Sequence, residues 1–237
     1  MRKLHLSPSL LFKLYKIERE KIDYAFSFDY KSLALTALKF LKNSSKIINF
    51  AGLNFYQGIY KDKKVIVANG GTYAPDTAMG TEILCFLGAK YLIRMGSCGG
   101  LKKEQQSGDL VLADSSLDYT GVTKFYPGRL NISLRLNEKI EEISGSAGLY
   151  KGRVCSYDAI FRETEEIAEK MIKKGSIAVD MALSAFLKVA GFYKREAAGL
   201  LVISDNLKTG EIGFKEKVVY EKLNQWAGNI LEVVDLI

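Results

Sequence analysis

The chain has 237 residues, of which 48% are hydrophobic and 26% charged, a balance typical of one large α/β domain. No apolar run reaches the roughly 18–20 residues needed to cross a bilayer, and the N-terminus lacks the apolar segment of a signal peptide. Three cysteines without paired or metal-like spacing argue against a disulfide framework and against a zinc site. We therefore expect a cytoplasmic protein that does not act on a membrane.

The formal net charge of +7 raises the question of a nucleic-acid partner. The lysines are scattered, however, and the short clusters at 61–64 and 173–174 have no interleaved aromatic residues. Short runs of this kind usually form solvated faces. We therefore expect no nucleic-acid partner, although sites for anionic substrates would use the same positive charge.

The first half of the chain reads as helices and strand-like runs. In chain order these are a helix at 8–20, a helix at 32–41, strands at 46–50, 54–60 and 64–68, and a helix that ends at Gly88. The last two of these strands form a hairpin. A glycine-containing loop follows them, and either Asp76 or Thr77 caps the helix behind it.

The second half alternates strands with helices. The elements are a strand that begins at 91 and stops in the glycine-containing run 96–100, a strand at 108–113, a helix at 132–143, a strand at 149–155, a helix at 163–173, a strand at 177–179, a helix at 181–192, a strand at 197–203 and a C-terminal helix. Strands that alternate with helices of this length imply parallel pairing and helices on both faces. We therefore predict an α/β fold, a three-layer α/β/α sandwich around a twisted, mixed, largely parallel sheet, with residues 1–237 in a single domain.

One arginine, Arg94, lies inside the otherwise apolar strand 91–100. A buried cation is costly unless an anion meets it. The strand runs into Gly96-Ser97-Cys98-Gly99, where glycines allow backbone N–H groups to approach a ligand. Two alternatives remain open from the pattern alone: an anion site, or a structural arginine paired with a nearby carboxylate.

Small or polar residues also follow three other predicted strands, at 70–71, 156–158 and 204–205. Asp205 stands at the edge of an apolar strand, where burial raises the pKa of a carboxyl group. Such a group holds and delivers a proton near neutral pH. The alternative is that Asp205 caps the loop that follows.

Taken in this order, the strand ends resemble the nucleoside phosphorylase superfamily, in its hexameric branch of purine nucleoside, uridine and archaeal methylthioadenosine phosphorylases. The matching stretches are 93–99, 108–111, 156–161, 178–181 and 202–207. The resemblance implies phosphorolytic cleavage of the N-glycosidic bond of a purine nucleoside, giving free base and pentose 1-phosphate. It implies inorganic phosphate as co-substrate, no cofactor or metal, and a homo-oligomer, a hexamer built as a trimer of dimers, whose sites are shared between subunits.

The resemblance also assigns roles to individual positions. Asp205 matches the general acid that protonates purine N7 as the glycosidic bond breaks. Arg94 and Ser97 match phosphate-binding positions, and Lys31 lies beside the position of a second phosphate arginine. The positions that match nucleoside-binding residues are His5, which would reach a neighbouring subunit's ribose, and Cys98, Gly99, Ile160, Phe161, Val179, Asp180, Met181 and Ser204.

The sequence departs from the family pattern at several phosphate and ribose positions. Ser32 and a residue at or near Ala51 replace arginines, and Ala182 replaces a glutamate that grips the ribose hydroxyls. Losing such a charged hydrogen bond costs about 1.5–3 kcal/mol. The alternatives are therefore a uridine phosphorylase, a hydrolytic nucleosidase and, from another class, a catalytically weak nucleoside-binding paralogue. Asp205 favours purines, since uridine phosphorylases use a glutamine–arginine pair that 162–165 lacks.

Overall fold

The structure, a computed structural model, describes residues 6–17 and 22–235. Its helices are α1 (Pro8–Leu14), α2 (Lys31–Leu38), α3 (Ala74–Phe86), α4 (Leu134–Ser144), α5 (Glu165–Lys173), α6 (Leu183–Phe192) and α7 (Lys217–Asn229). Its strands are β1 (Tyr24–Phe28), β2 (Lys42–Phe50), β3 (Leu53–Tyr60), β4 (Lys63–Asn69), β5 (Tyr91–Gly100), β6 (Leu110–Tyr119), β7 (Leu149–Tyr157), β8 (Ser176–Asp180), β9 (Glu196–Asn206) and β10 (Glu211–Ile212). Short 3₁₀ turns lie at Thr123–Phe125, Ile160–Arg162 and Ile230–Asp235.

The strands of the described residues form one mixed sheet in the order β10-β9-β6-β7-β8-β5-β1-β4-β3-β2. Its central pairings, β4–β1, β1–β5 and β5–β9, are parallel. The β2–β3–β4 meander is antiparallel, as are the β5–β8, β6–β9 and β9–β10 pairings. Because β5 pairs with both β8 and β9, strands β5, β9, β6, β7 and β8 close into a ring. The predicted mixed sheet is confirmed.

Helices cover both faces of the sheet, as the alternation of elements predicted. On one face, helices α1, α3 and α6 contribute buried side chains such as Phe12, Leu84 and Phe186. On the other face, helices α2, α4 and α7 contribute side chains such as Ile140 and Trp226. Each fully buried side chain of this size contributes about 1.5–3 kcal/mol. These two apolar layers hold the sheet, and the three-layer arrangement is confirmed.

The sequence pattern did not reveal strand β1, nor the short strand β10. Strand β1 lies between β4 and β5 in the middle of the sheet, and all of its residues are buried. A strand covered on both faces shows no alternation of polar and apolar residues, which hides it from pattern analysis. Its parallel register with β5 places Ser27 opposite Arg94 and brings Asp29 to the carboxyl end of the sheet.

Among the boundaries that differ from the prediction are those of β5 and α3. Strand β5 does not stop at its glycines but continues to Gly100, because these residues pair with β8 and β9. Helix α3 begins at Ala74, before either predicted cap. The Asp76 carboxylate instead accepts the N–H groups of Thr72 and Tyr73, at 3.1 and 2.8 Å, and so secures the first turn from inside the helix.

Within the described part of the chain we find neither a membrane span nor a disulfide. None of the helices there combines the length and the apolar character that crossing a bilayer requires. The three cysteines, Cys85, Cys98 and Cys155, are buried and free.

Candidate active site

The carboxyl ends of β1, β5, β8 and β9 meet at a cavity of about 740 Å³. This volume lies in the range of pockets that hold small organic ligands. Most of the site residues predicted from the sequence line it. They are Ser97, Cys98, Gly99, Ile160, Phe161, Val179, Asp180, Met181, Ser204 and Asp205.

Three predicted site residues are not part of the described lining. Arg94 lies behind the cavity wall and is 1% exposed. Lys31 is the first residue of α2, and its side chain is exposed to solvent. His5 lies outside the described residues. The phosphate contacts of Arg94 and Lys31 and the ribose contact of His5 therefore stay predictions.

Arg94 is a buried cation with a buried carboxylate partner. Its Nη2 donates to Asp29 Oδ1 and to the carbonyl of Gly71, the latter at 3.1 Å. The other oxygen of Asp29, Oδ2, accepts the backbone N–H of Ser97 at 3.0 Å. Because Nη2 is engaged in this way, the phosphate contact predicted for Arg94 would have to use its other guanidinium donors or displace Asp29.

Burial raises the pKa of the Asp29 carboxyl group to about 6. The loss of hydration outweighs the attraction of Arg94 and the N–H of Ser97, both of which favour the charged form. Arg94 keeps two further donors, Nε and Nη1, that have no hydrogen-bond partner among the described residues. The pair is thus an ion pair with unused donors on its cationic side.

Asp205 reaches the cavity because the β5–β9 pairing is irregular at its end. Cys98 pairs with Ile203, whereas the next residue, Gly99, pairs with Asp205. Ser204 is therefore an extra residue in β9, a bulge that re-aims the side chain after it. A Cβ at Gly99 would lie 2.6 Å from Leu207 Cδ1 and 3.1 Å from Asp205 Oδ2, so the glycine leaves room for both side chains.

The Asp205 carboxyl group is half-buried and is held by its neighbour. The Ser204 hydroxyl donates to Oδ1 of Asp205 at 2.6 Å. Burial raises the pKa of Asp205, and repulsion from Glu211 adds to the rise, while the Ser204 hydrogen bond opposes it. A carboxyl group in this setting keeps a proton closer to neutral pH than a solvated one does.

Asp180 is largely engaged by the fold. Its Oδ2 accepts the backbone N–H groups of Ala182 and Leu183, at 3.0 and 2.7 Å, and its Oδ1 accepts the hydroxyl of Ser156. These bonds satisfy the first turn of α6, whose N-cap residue Ala182 has no capping side chain. Burial raises the pKa of Asp180. A nucleoside contact of Asp180 stays a prediction.

Glu163 is a cavity residue that the sequence analysis did not single out. It follows the 3₁₀ turn Ile160–Arg162 and is half-buried. Burial raises its pKa to about 7, with repulsion from Asp205 and Asp180 contributing. The sequence signal for this role was weak, since Glu163 lies in a polar run with two other glutamates.

The cavity is acidic. Its described lining includes the carboxylates of Asp29, Glu163, Asp180 and Asp205 and no lysine or arginine. In 6–17 and 22–235 no group of three or more His, Cys, Asp or Glu is arranged to hold a metal ion. Arg94 lies behind Asp29, one of these lining carboxylates.

We expect the free energy of unfolding to fall as pH rises from about 5 to about 7, and the variant Glu163→Gln to reduce this fall. The folded-state pKa of Glu163, about 7, exceeds its ordinary value of 4.5. In that interval the folded protein holds a proton that the unfolded chain has lost, so raising the pH destabilises the fold. Urea unfolding across the interval measures the slope.

The matched control is Glu138→Gln, which removes an exposed glutamate on α4 and should leave the slope unchanged. Equal slopes for the wild type and Glu163→Gln would contradict the raised pKa.

Comparison with known proteins identifies the family of the chain. A sequence model described as "Phosphorylase superfamily" matches residues 29–237. The chain is 29% identical over 181 residues to "Purine nucleoside phosphorylase DeoD-type" of Alkaliphilus metalliredigens, covering 73% of this chain and 78% of the relative. A protein of the same name from Brevibacillus brevis is 26% identical over 179 residues, covering 73% and 76%.

Solved structures agree on the fold. The uridine phosphorylase of Vibrio fischeri superposes with a TM-score of 0.83 at 21% identity, covering 93% of this chain and 95% of that one. The same enzyme complexed with 6-hydroxy-1-naphthoic acid gives a TM-score of 0.79 at 22% identity, covering 91% and 92%. Because the family model covers most of the sequence, from Asp29 to Ile237, the chain belongs to the phosphorylase superfamily.

Proposed function

We propose that this chain cleaves the N-glycosidic bond of a purine nucleoside by phosphorolysis, giving free base and pentose 1-phosphate. The observation that carries the proposal is Asp205, a half-buried carboxyl group of raised pKa at the cavity wall, held by Ser204. A proton delivered from Asp205 to purine N7 prevents negative charge from building on the base as the bond to the sugar breaks. The relatives named purine nucleoside phosphorylase support the purine substrate.

The apolar lining of the cavity suits the base and sugar. Val179 and Met181 would lie beneath them, with Cys98 and Gly99 beside the acid. Phe161 is 98% exposed at the cavity, which leaves an aromatic face free to stack on a ligand or to be covered by another subunit.

Inorganic phosphate is the proposed co-substrate, and no cofactor is required. Ser97 lines the cavity at the end of β5 and presents its hydroxyl to that of Tyr30 at 3.2 Å. The proposed phosphate position is beside Ser97, in front of Arg94. Lys31, one residue beyond Tyr30, would reach this position only by turning its exposed side chain inward.

The proposed assembly is a homo-oligomer, a hexamer whose sites are completed by neighbours, in the cytoplasm. Half-exposed apolar side chains at the cavity, Phe214 and Tyr220, together with Phe161, support a covering subunit. His5 would be the residue that a neighbour contributes. The free, buried cysteines agree with a reducing compartment.

The test is release of base from inosine, adenosine, methylthioadenosine and uridine, with and without inorganic phosphate. We expect release that depends on phosphate and that yields one pentose 1-phosphate per base. Faster release of uracil from uridine would contradict the purine assignment. Stabilisation of the folded protein by nucleosides without any release would identify a binding paralogue instead.

Hydrolysis is the second candidate, and the acidic lining of the cavity favours it. Phosphate needs cationic partners, whereas water does not, and the described lining offers no lysine or arginine. Base release at the same rate without phosphate would establish a hydrolytic nucleosidase and contradict phosphorolysis.

A further inference from the structure

We propose that Asp29 occupies the anion subsite of this cavity from within the chain and thereby determines how tightly phosphate binds. The inference rests on the proposed function, because it concerns the subsite for the attacking phosphate. By setting the affinity for phosphate, Asp29 would influence whether phosphate or water attacks the sugar.

The contacts of Asp29 are those of a bound oxyanion. One carboxylate oxygen accepts from the guanidinium of Arg94 and the other from the backbone N–H of Ser97. A guanidinium together with a backbone N–H at the end of a strand is a donor set that phosphate also uses. In this structure an internal carboxylate holds that donor set.

The fold is shaped to admit the Asp29 side chain. A Cβ at Gly96 would lie 1.8 Å from Asp29 Oδ2, so only a glycine leaves room for the carboxylate against β5. The Asp29 backbone is fixed independently, because its N–H donates to the carbonyl of Met95 at 3.1 Å and its carbonyl accepts the hydroxyl of Thr72 at 2.8 Å. Rotation of the carboxylate into the cavity, which Asp29 lines, would therefore leave these main-chain contacts in place.

Phosphate and ionised Asp29 compete for this subsite. Two oxyanions side by side repel strongly in a buried site of low dielectric. Rotation of the Asp29 side chain frees Nη2 of Arg94 and the N–H of Ser97, beside the guanidinium donors Nε and Nη1 that lack partners among the described residues. Phosphate, with more acceptor oxygens than a carboxylate, suits this fork of donors.

The test is calorimetric titration of inorganic phosphate, without nucleoside, into the wild type and Asp29→Asn. We expect Asp29→Asn to lower the Kd for phosphate about ten- to a hundredfold, as expected for freeing charged hydrogen bonds. An unchanged or weaker affinity would overturn the proposal, because it would mean that Asp29 orients Arg94 for phosphate rather than competing with it.

Two control variants separate competition from general charge. Asp205→Asn removes a carboxylate from the same cavity without touching Arg94 and should tighten phosphate binding far less; an equal gain would overturn the proposal. Adding Arg94→Met to Asp29→Asn should abolish the gain in phosphate affinity. If the double variant still binds phosphate more tightly than the wild type, the proposal is overturned.

Crystals of the wild type grown in phosphate test the proposal without any substitution. We expect a phosphate oxygen on Arg94 and the Asp29 side chain rotated away. Phosphate bound while Asp29 still contacts Arg94 would overturn it. Because neither measurement contains a nucleoside, failure to release base would reject the proposed function and leave the phosphate result standing on its own.

Discussion

Asp205→Asn is expected to lower turnover on purine nucleosides about a hundred- to ten-thousandfold, the range that general acid catalysis supplies. Asparagine has nearly the same shape, and its Oδ1 still accepts the Ser204 hydroxyl that Asp205 accepts at 2.6 Å. The loss therefore reports the missing proton rather than a rearranged site. Steady-state kinetics on inosine and on a ribosyl substrate with a nitrophenolate leaving group measure the effect.

Comparing the two substrates distinguishes an acid role of Asp205 from a role in binding or structure. A nitrophenolate departs without protonation, so its release should fall far less than that of hypoxanthine. Asp62→Asn is the matched control, because Asp62 is exposed in the turn between β3 and β4 and should leave both rates unchanged. Equal losses on both substrates would show that Asp205 acts on binding or on structure, and not as the acid.

Arg94→Met is expected to reduce the free energy of unfolding by about 3–5 kcal/mol, as removal of one partner of a buried ion pair does. The substitution leaves the Asp29 carboxylate buried without its cation and removes the donor to the Gly71 carbonyl. Urea unfolding at neutral pH measures the change. Arg129→Met, at an exposed arginine, should change stability by no more than about 0.5 kcal/mol.

The pairing itself is tested by combining substitutions. The double variant Arg94→Met with Asp29→Asn should be less destabilised than the sum of the two single variants, because neither residue is then left as a lone buried charge. Additive losses would mean that the two side chains contribute to stability independently.

The alternation of elements was sufficient to predict the three layers and the mixed sheet, and the Ser204-Asp205 strand end was sufficient to identify the acid candidate. Strand β1 was not predicted, since burial on both faces removes the alternation that marks a strand. The partner of Arg94 could not be identified for a related reason. Asp29 follows that strand, 65 positions earlier, and only the parallel β1–β5 register brings the two side chains together.

The direction in which the Asp205 side chain points could not be predicted from the sequence either. It depends on Ser204 being an extra residue in the β5–β9 pairing, and nothing in the local sequence marks that irregularity. Glu163 was missed because its position at the cavity follows from the 3₁₀ turn before it, while its neighbours in sequence are exposed glutamates. For Arg94 and Asp205 the residue type indicated the chemistry, whereas the pairing of strands distant in sequence set the placement.

The closed ring of β5, β9, β6, β7 and β8 also has a consequence for folding, because the cavity at its edge needs the β5–β9 pairing. Gly99 and Asp205 are register partners, yet roughly a hundred residues of chain separate them, so their meeting carries the loop-closure cost of a long-range contact. Until Glu196–Asn206 has been synthesised, the nascent chain lacks β9, the strand that pairs with β5, and with it the acid candidate Asp205. We therefore expect the Gly99–Asp205 pairing, and with it the acid side of the cavity, to form only after β9 has been synthesised.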